Sequence, residues 1–366
     1  MKPHPSSARQ YRIKQRFLGR IAALSCSVAF LSCAQADPTN SPTDGERKVT
    51  EKETDAASKE KAATFVHEHR SDLVFIKGKS ALGSGFIAEM KGRKVLISNA
   101  HVVAHVKNPA FELLDRTAVR VGVASVAKGH DLAAFVVIEG GTGIPTSTAV
   151  DTEARIGDAV IVLGNTTGGG VVNPLHGELL GIGPDRIEIS AAFERGNSGS
   201  PIVHLRSGKV IGVAAYAKSD TLLLGDEKLR RFGFRLDSVK AWELIQWPRF
   251  YSEADSAEKI ENATREFAEL LSEFPTVAAA KKEAARSFES PAIRTALESF
   301  YGTLARDSSA GDSAARKLLT SLRDACKNDV SAAKSRFTYD YFQRQLSENE
   351  RVRGEFIEAI DKVLKQ

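Results

Sequence analysis

Between about residues 71 and 237 the sequence breaks into short runs rich in Val and Ile, set apart by Gly, Asp, Asn or Pro. The runs are Leu73-Val74-Phe75-Ile76, Gly85 to Ala88, Val95 to Ile97, Val119 to Val123, Ala133 to Ile138, Ala159 to Leu163, Ile187 to Ile189, Ile202-Val203 and Val210 to Val213. β-Branched residues are stiff at χ1 and suit a pleated, half-buried surface. Many such runs at close spacing, with no helical periodicity between them, predict antiparallel strands in a sandwich or barrel.

The pattern changes after this stretch. Asp237 is a plausible N-cap for an amphipathic helix over 238–245. Beyond Pro248, apolar residues recur at spacings of three and four: Ile260, Ala263, Phe267, Leu270, Leu271 and Phe274; Ile293, Leu297, Phe300 and Leu304; Leu318, Leu319, Leu322 and Cys326; Val352, Phe356, Ile360 and Val363. Each set makes one helix face. Residues 251–366 therefore read as an all-α domain of about four to six helices joined at Pro275, Pro291, Gly311 and Asn328. Its apolar faces either pack inward as an appendage or make an oligomer or partner contact.

The N-terminal end reads as a targeting segment. A basic stretch to Arg20 precedes an apolar run from Ile21 to Leu31 and the small-x-small triplet Ala34-Gln35-Ala36. The run is shorter than the about 20 apolar residues that a permanent span requires. Residues 1–36 are expected to be a signal peptide directing export to the periplasm or out of the cell; the alternative is lipid attachment at Cys33, the one route by which a membrane would become a partner. The whole chain has 51 Lys plus Arg against 46 Asp plus Glu, a formal net charge of +5. Six of those basic residues (Lys2, Arg9, Arg12, Lys14, Arg16, Arg20) fall in the leader, and the remainder is almost neutral. Net charge thus gives no support to a nucleic-acid partner. Cys26 and Cys33 leave with the leader, so Cys326 stands alone and is expected to be a small buried apolar residue. The polar stretch 37–58 is expected to be a disordered linker.

The segment most directly tied to chemistry is Arg195-Gly196-Asn197-Ser198-Gly199-Ser200-Pro201, between two β runs. A nucleophilic Ser needs a tight turn that exposes its hydroxyl and backbone N–H groups aimed at the oxygen that becomes negative. Glycines permit both, so the amides of Gly196 and Ser198 are candidates for an oxyanion hole. Taken alone, the segment could equally be a polar β-turn. Serine also needs a base, and the base needs an acid to orient it. His101 follows the run Val95 to Ile97, and Asp131 precedes the run Ala133 to Ile138, each at a strand end.

These residues stand in motifs that resemble the trypsin-like (chymotrypsin-fold) serine peptidases, in particular the HtrA/Deg-like branch. Gly83-Ser84-Gly85-Phe86 with Ser98-Asn99-Ala100-His101-Val102-Val103 is similar to the catalytic His segment, Asp131-Leu132-Ala133 to the Asp segment, and Gly196-Asn197-Ser198-Gly199 to the nucleophile turn. Their order, His, Asp, Ser, is the chymotrypsin one. Gly157-Asp158, Val160 to Leu163 and Gly164-Asn165 resemble the family's second-barrel strand and loop, and the likeness covers about residues 60 to 246. It implies a multidomain chain: an all-β double β-barrel (chymotrypsin-like) over 59–250, with a terminal helix, followed by the helical domain over 251–366. It implies a serine endopeptidase acting on protein or peptide substrates, with His101, Asp131 and Ser198 catalytic, the Gly196 and Ser198 amides binding the oxyanion, and no cofactor or metal.

The sequence departs from the family in several places. Asn197 replaces the acid that digestive members pair with a new N terminus, so activation by clipping is not expected. Ser200-Pro201 is similar to the glutamyl endopeptidase branch, but Val213-Ala214-Ala215-Tyr216, the expected pocket strand, lacks that branch's His. Ala192 stands where trypsin-like specificity places an acid, which predicts a neutral, small or aliphatic P1 residue. Where HtrA-like proteins carry a PDZ domain, none is recognisable and the tail reads as helical. The alternatives to an active protease, possibly in quality control, are a catalytically latent protease-fold scaffold acting through its tail, and an esterase using the same triad. The other histidines are expected to be incidental: His105 and His130 as loop or surface groups, His67 and His69 as at most a weak metal pair. Gly168-Gly169-Gly170 lacks a phosphate-loop ending and reads as a barrel loop.

Overall fold

The computed structural model describes residues 44–78, 82–165, 170–221, 227–272, 288–307, 311–333 and 335–365. The expected leader with Cys26 and Cys33, and also Pro275, Gly168 and Gly169, lie outside them. The described residues divide at Ile245/Gln246 into two compact units.

The first unit is β-rich. Helix α1 (Asp44–His69) leads into β1 (Leu73–Lys77), β2 (Leu82–Met90), β3 (Arg93–Ser98), the short α2 (Ala100–Val106), β4 (Ala110–Leu113), β5 (Arg120–Ala127), β6 (Ala133–Glu139) and β7 (Ile144–Pro145). These strands form one sheet in the order β14-β5-β6-β3-β2-β1-β4, with β7 beside β2; β14 (Trp242–Leu244) arrives from much later in the chain. After α3 (Val150–Glu153), strands β8 (Ala159–Gly164), β9 (Asn173–Ile182), β10 (Arg186–Ile189), β11 (Pro201–His204), β12 (Lys209–Thr221) and β13 (Glu227–Phe234) close into a barrel in the order β10-β13-β12-β11-β8-β9. The expected double barrel is therefore met by one closed barrel and one sheet whose strand order ends at β14 and β4.

The strands form where the Val/Ile runs lie because most are buried on both faces. In β8, Val160 and Val162 point into the barrel with Leu179, Ile187, Ile202 and Ile211. Ile161 and Leu163, on the opposite face, join Leu73, Phe86, Ile97, Val203, Val213 and Phe234 in a core shared by the two sheets, which Ala62 and Phe65 of α1 also enter. Two buried faces explain why the run is continuously apolar instead of alternating.

Two expectations for this unit are corrected. The stretch 37–58 is helical from Asp44 on, as the start of α1. From Glu46 it holds no Gly or Pro and is rich in Glu, Lys and Ala, so its composition suits a helix as well as a solvated coil. The helix expected over 238–245 is absent, and Trp242–Leu244 pairs antiparallel with Ala127, Val126 and Ser125. Asp237 does not cap it: its carboxylate binds the Arg235 guanidinium at 2.8 and 3.0 Å and accepts the Val150 amide at 2.9 Å.

The second unit is helical over its described residues: α4 (Trp247–Ser272), α5 (Pro291–Arg306), α6 (Gly311–Ala333) and α7 (Asp340–Lys365). Phe267, Leu270, Ile293, Leu297, Phe300, Leu318, Leu322, Cys326 and Phe356 form its core, and Cys326 is buried as expected. Ser290 caps α5 with Pro291 in the first turn, where a missing N–H costs nothing. Asn328 is not a joint; it lies inside α6. Arg353 of α7 is 1% exposed, its guanidinium donating to Thr264 Oγ1 and to the carbonyls of Ile260 and Cys326, over the Phe267 ring. Among the described residues no helix is long and apolar enough to cross a membrane.

Candidate active site

His101 sits in the first turn of α2, directly after β3, and Asp131 sits just before β6, the strand that pairs with β3. Adjacent strands thus bring two residues thirty positions apart to one place. The Asp131 carboxylate accepts the His101 amide at 2.9 Å and lies 2.6 Å from His101 Nδ1, while Asn99 Nδ2 donates to the Asp131 carbonyl at 2.8 Å. Burial by itself would push the Asp131 carboxyl up; the neighbouring His101 ring and the bonds from it outweigh that and hold it below the usual carboxylate range. An ionised carboxylate only accepts, so Nδ1 carries the proton toward Asp131 and a neutral ring keeps Nε2 as its basic nitrogen.

Ser198 occupies the turn between β10 and β11. Gly196 has φ 98°, and the Asn197 amide donates to Glu194 O at 3.1 Å, the geometry of a type II turn, which needs a positive φ at its third residue. Gly199 has φ 89°, and a Cβ there would stand 2.0 Å from the Ser84 carbonyl oxygen, so only glycine lets the turn approach β2. Among the described residues no hydrogen-bond acceptor takes the amides of Gly196 or Ser198, while those of Asn197, Gly199 and Ser200 are engaged. Ser198 Oγ lies 3.4 Å from the Ala215 carbonyl oxygen. The β12–β13 register shifts between Ala214 and Tyr216, leaving Ala215 as the extra residue of a bulge, a device that redirects groups beside active sites.

The expected pocket residues separate into two groups. Val213, Ala214 and Ala215 are buried on β12, and Tyr216 is half-buried with its hydroxyl accepting from Arg186 Nη1 at 2.8 Å and its ring stacked on Phe232. Ala192 is exposed, beside Phe193, whose carbonyl accepts from Arg231 Nε at 3.0 Å. His130 lies in the loop between β5 and β6, one of the two places expected for it, but is buried there: its ring contacts Ser238 Oγ at 2.8 Å and Lys128 O at 3.1 Å. His105 is exposed, with Nδ1 2.6 Å from the His101 carbonyl, and His69 lies 3.1 Å from Asp72.

The sequence reading missed Ser84, Ser98 and Arg231. Ser84 donates its amide to Ser198 O at 3.0 Å and its hydroxyl to Gly196 O at 2.7 Å; Ser98 Oγ donates to Ser84 O at 2.7 Å. For Ser84 and Ser98 the only available signal was their place inside the quoted motifs, which says nothing about their partners; Arg231 lies in none of those motifs.

A model of the trypsin-like peptidase domain matches residues 83–213, the span that holds His101, Asp131, Ser84 and the glycine turn at Ser198. Residues 83–213 are a trypsin-like peptidase domain. The peptidase domain is similar to a probable periplasmic serine endoprotease, DegP-like, of Bartonella henselae, 35% identical over 140 residues, covering 36% of this chain and 27% of that protein. It is also similar to serine protease HTR4 of Rattus norvegicus, 33% identical over 156 residues, covering 39% of this chain and 31% of that protein. The crystal structure of the serine endoprotease from Yersinia pestis matches 48% of this chain and 61% of its own at 21% identity and a TM-score of 0.39. The chain thus spans about three tenths of the length of these two curated relatives.

Proposed function

We propose that the chain is an exported serine endopeptidase of the HtrA/DegP type that hydrolyses peptide bonds of unfolded or damaged proteins through His101, Asp131 and Ser198. The observation that carries this reading is the His101–Asp131 pair, with Nδ1 turned to the carboxylate at 2.6 Å, in the same domain as a glycine turn with two unengaged amides. His101 Nε2 takes the Ser198 hydroxyl proton as Oγ attacks the substrate carbonyl. Asp131 fixes the tautomer and stabilises the imidazolium. The developing oxyanion is held by the amides of Gly196 and Ser198, where preorganised donors cost no reorganisation. His101 then returns the proton to the leaving amine, and water, deprotonated by the same ring, hydrolyses the acyl-enzyme. Buried Val213, Ala214 and Ala215 favour a neutral, small or aliphatic side chain in the pocket.

Export rests on the leader-like residues 1–36 and on the periplasmic relative; lipid attachment at Cys33 is the alternative. The test is to incubate the purified protein with a fluorophosphonate probe and unfolded casein, alongside Ser198→Ala. Labelling and cleavage by the wild type, both lost in the variant, are expected. A wild type that neither labels nor cleaves, with or without added peptides, sinks the active-enzyme reading in favour of a latent scaffold.

A further inference from the structure

We infer that the Ser84 hydroxyl is the positioning group that keeps the oxyanion turn in its open form, an inference that rests on the peptidase reading. The two candidate oxyanion amides, of Gly196 and Ser198, stand on either side of the Gly196–Asn197 peptide plane. That plane is pinned at both polar ends: Asn197 N–H donates to Glu194 O at 3.1 Å, and Gly196 O accepts from Ser84 Oγ at 2.7 Å. The plane after Ser198 is pinned as well, through Ser84 N–H to Ser198 O at 3.0 Å. The Ser198 amide lies between two peptide planes that one residue of β2 holds.

Ser84 is itself fixed. It is 2% exposed, its carbonyl accepts the Ser98 hydroxyl at 2.7 Å, and its Oγ accepts the Asn165 amide at 3.0 Å. Ser98 ends the strand that leads to His101, and Asn165 follows β8 of the closed barrel. The hydroxyl therefore both donates and accepts, which settles a rotor that would otherwise be free. Removing it leaves Gly196 O without this donor, and the plane can turn about Gly196 ψ and Asn197 φ, tilting the adjoining plane that carries the Ser198 amide out of line. Substrate contacts on β12 do not run through this bond.

The test compares the wild type, Ser84→Ala and Ser84→Thr on fluorescently labelled unfolded casein, with melting temperatures for each. Loss of one oxyanion donor costs about 10²–10³ in kcat; a turn that visits the open form part of the time should lose about tenfold or more in Ser84→Ala, with KM within about twofold and the melting temperature little changed. Ser84→Thr keeps the hydroxyl and should recover most of kcat. Full kcat in Ser84→Ala overturns the inference, as does a loss that follows falling thermal stability and is not recovered by Thr. Both of those outcomes require an active wild type, which separates them from failure of the peptidase reading itself; an inert wild type removes both.

Discussion

The two units bury charge for different ends. In the β-rich unit, buried or half-buried charged groups join segments far apart in sequence: Asp131 to His101, Arg235 to Asp151, His204 to Asp158, and Asp72 to the amides of Thr142 and Gly143. In the helical unit, buried carboxylates bind backbone amides at helix starts. Glu253 holds the amides of Thr338 and Tyr339 ahead of α7, and Glu266 those of Glu289 and Ser290 ahead of α5. A sheet protein has loops to anchor and side chains to aim; a helix bundle has unpaired helix ends to satisfy. Charge in the first unit therefore aims side chains and anchors loops, and charge in the second satisfies helix starts.

Three measurements can break or sharpen that contrast. The largest effect is expected for Asp131→Asn, which keeps the shape but presents an amide that can hold the wrong tautomer of His101. By the behaviour of triads of this type, kcat should fall about 10⁴-fold, while the thermal unfolding of the β-rich unit should move little. A variant that unfolds early instead would place Asp131 among the structural charges. Next is Glu253→Ala in the helical unit, which strands the two amides and the Thr338 hydroxyl and should cost about 2–3 kcal/mol by denaturant titration of the helical signal. A change under about 0.5 kcal/mol would show that water replaces the carboxylate.

The smallest effect concerns acid. Burial of His204 favours its neutral form and lowers its pKa below the ordinary 6.5, with nearby Asp158 acting against this. The unfolded chain therefore takes up the proton first, and the stability that the neutral ring contributes is complete above about pH 6.5 and shrinks as pH falls from there toward the lower folded value. Melting curves of the wild type and His204→Gln should converge in slope above pH 6.5 and diverge below it. Parallel curves would mean that Asp158 keeps the charged ring as comfortable as water does.

The candidate site was legible wherever residue type and local order carry the information. His101, Asp131 and Ser198 follow or precede Val/Ile runs, and the strands at those runs place two of them in contact. What was hidden depends on partners distant in sequence. Strands β4, β9 and β13 carry no continuous apolar run, because each shows a more polar face: Glu112 in β4, exposed His176 and Glu178 in β9, and Arg230 and Arg231 in β13, which bind Glu188 and the Phe193 carbonyl. Trp242-Glu243-Leu244 fits a helix as well as a strand, and the free edge of β5 decides between them. The hydroxyl contacts of Ser84 could be seen only after β2 and the turn at Ser198 had been brought together in space.

The late arrival of β14 also sets a clock. Trp242 pairs with Ala127, the Lys128 amide donates to Ala241 O, and the Ile245 amide donates to Ala124 O, so the edge of the sheet that carries His101 and Asp131 is finished by residues made after all six strands of the closed barrel. A chain emerging from its N terminus can assemble the His101–Asp131 neighbourhood early, but with an exposed strand edge open to other chains. Sealing that edge waits for a contact that spans more than a hundred residues, and such contacts form slowly. A fragment cut short before Trp242 would hold every candidate catalytic group in its sequence and still leave that edge unsealed.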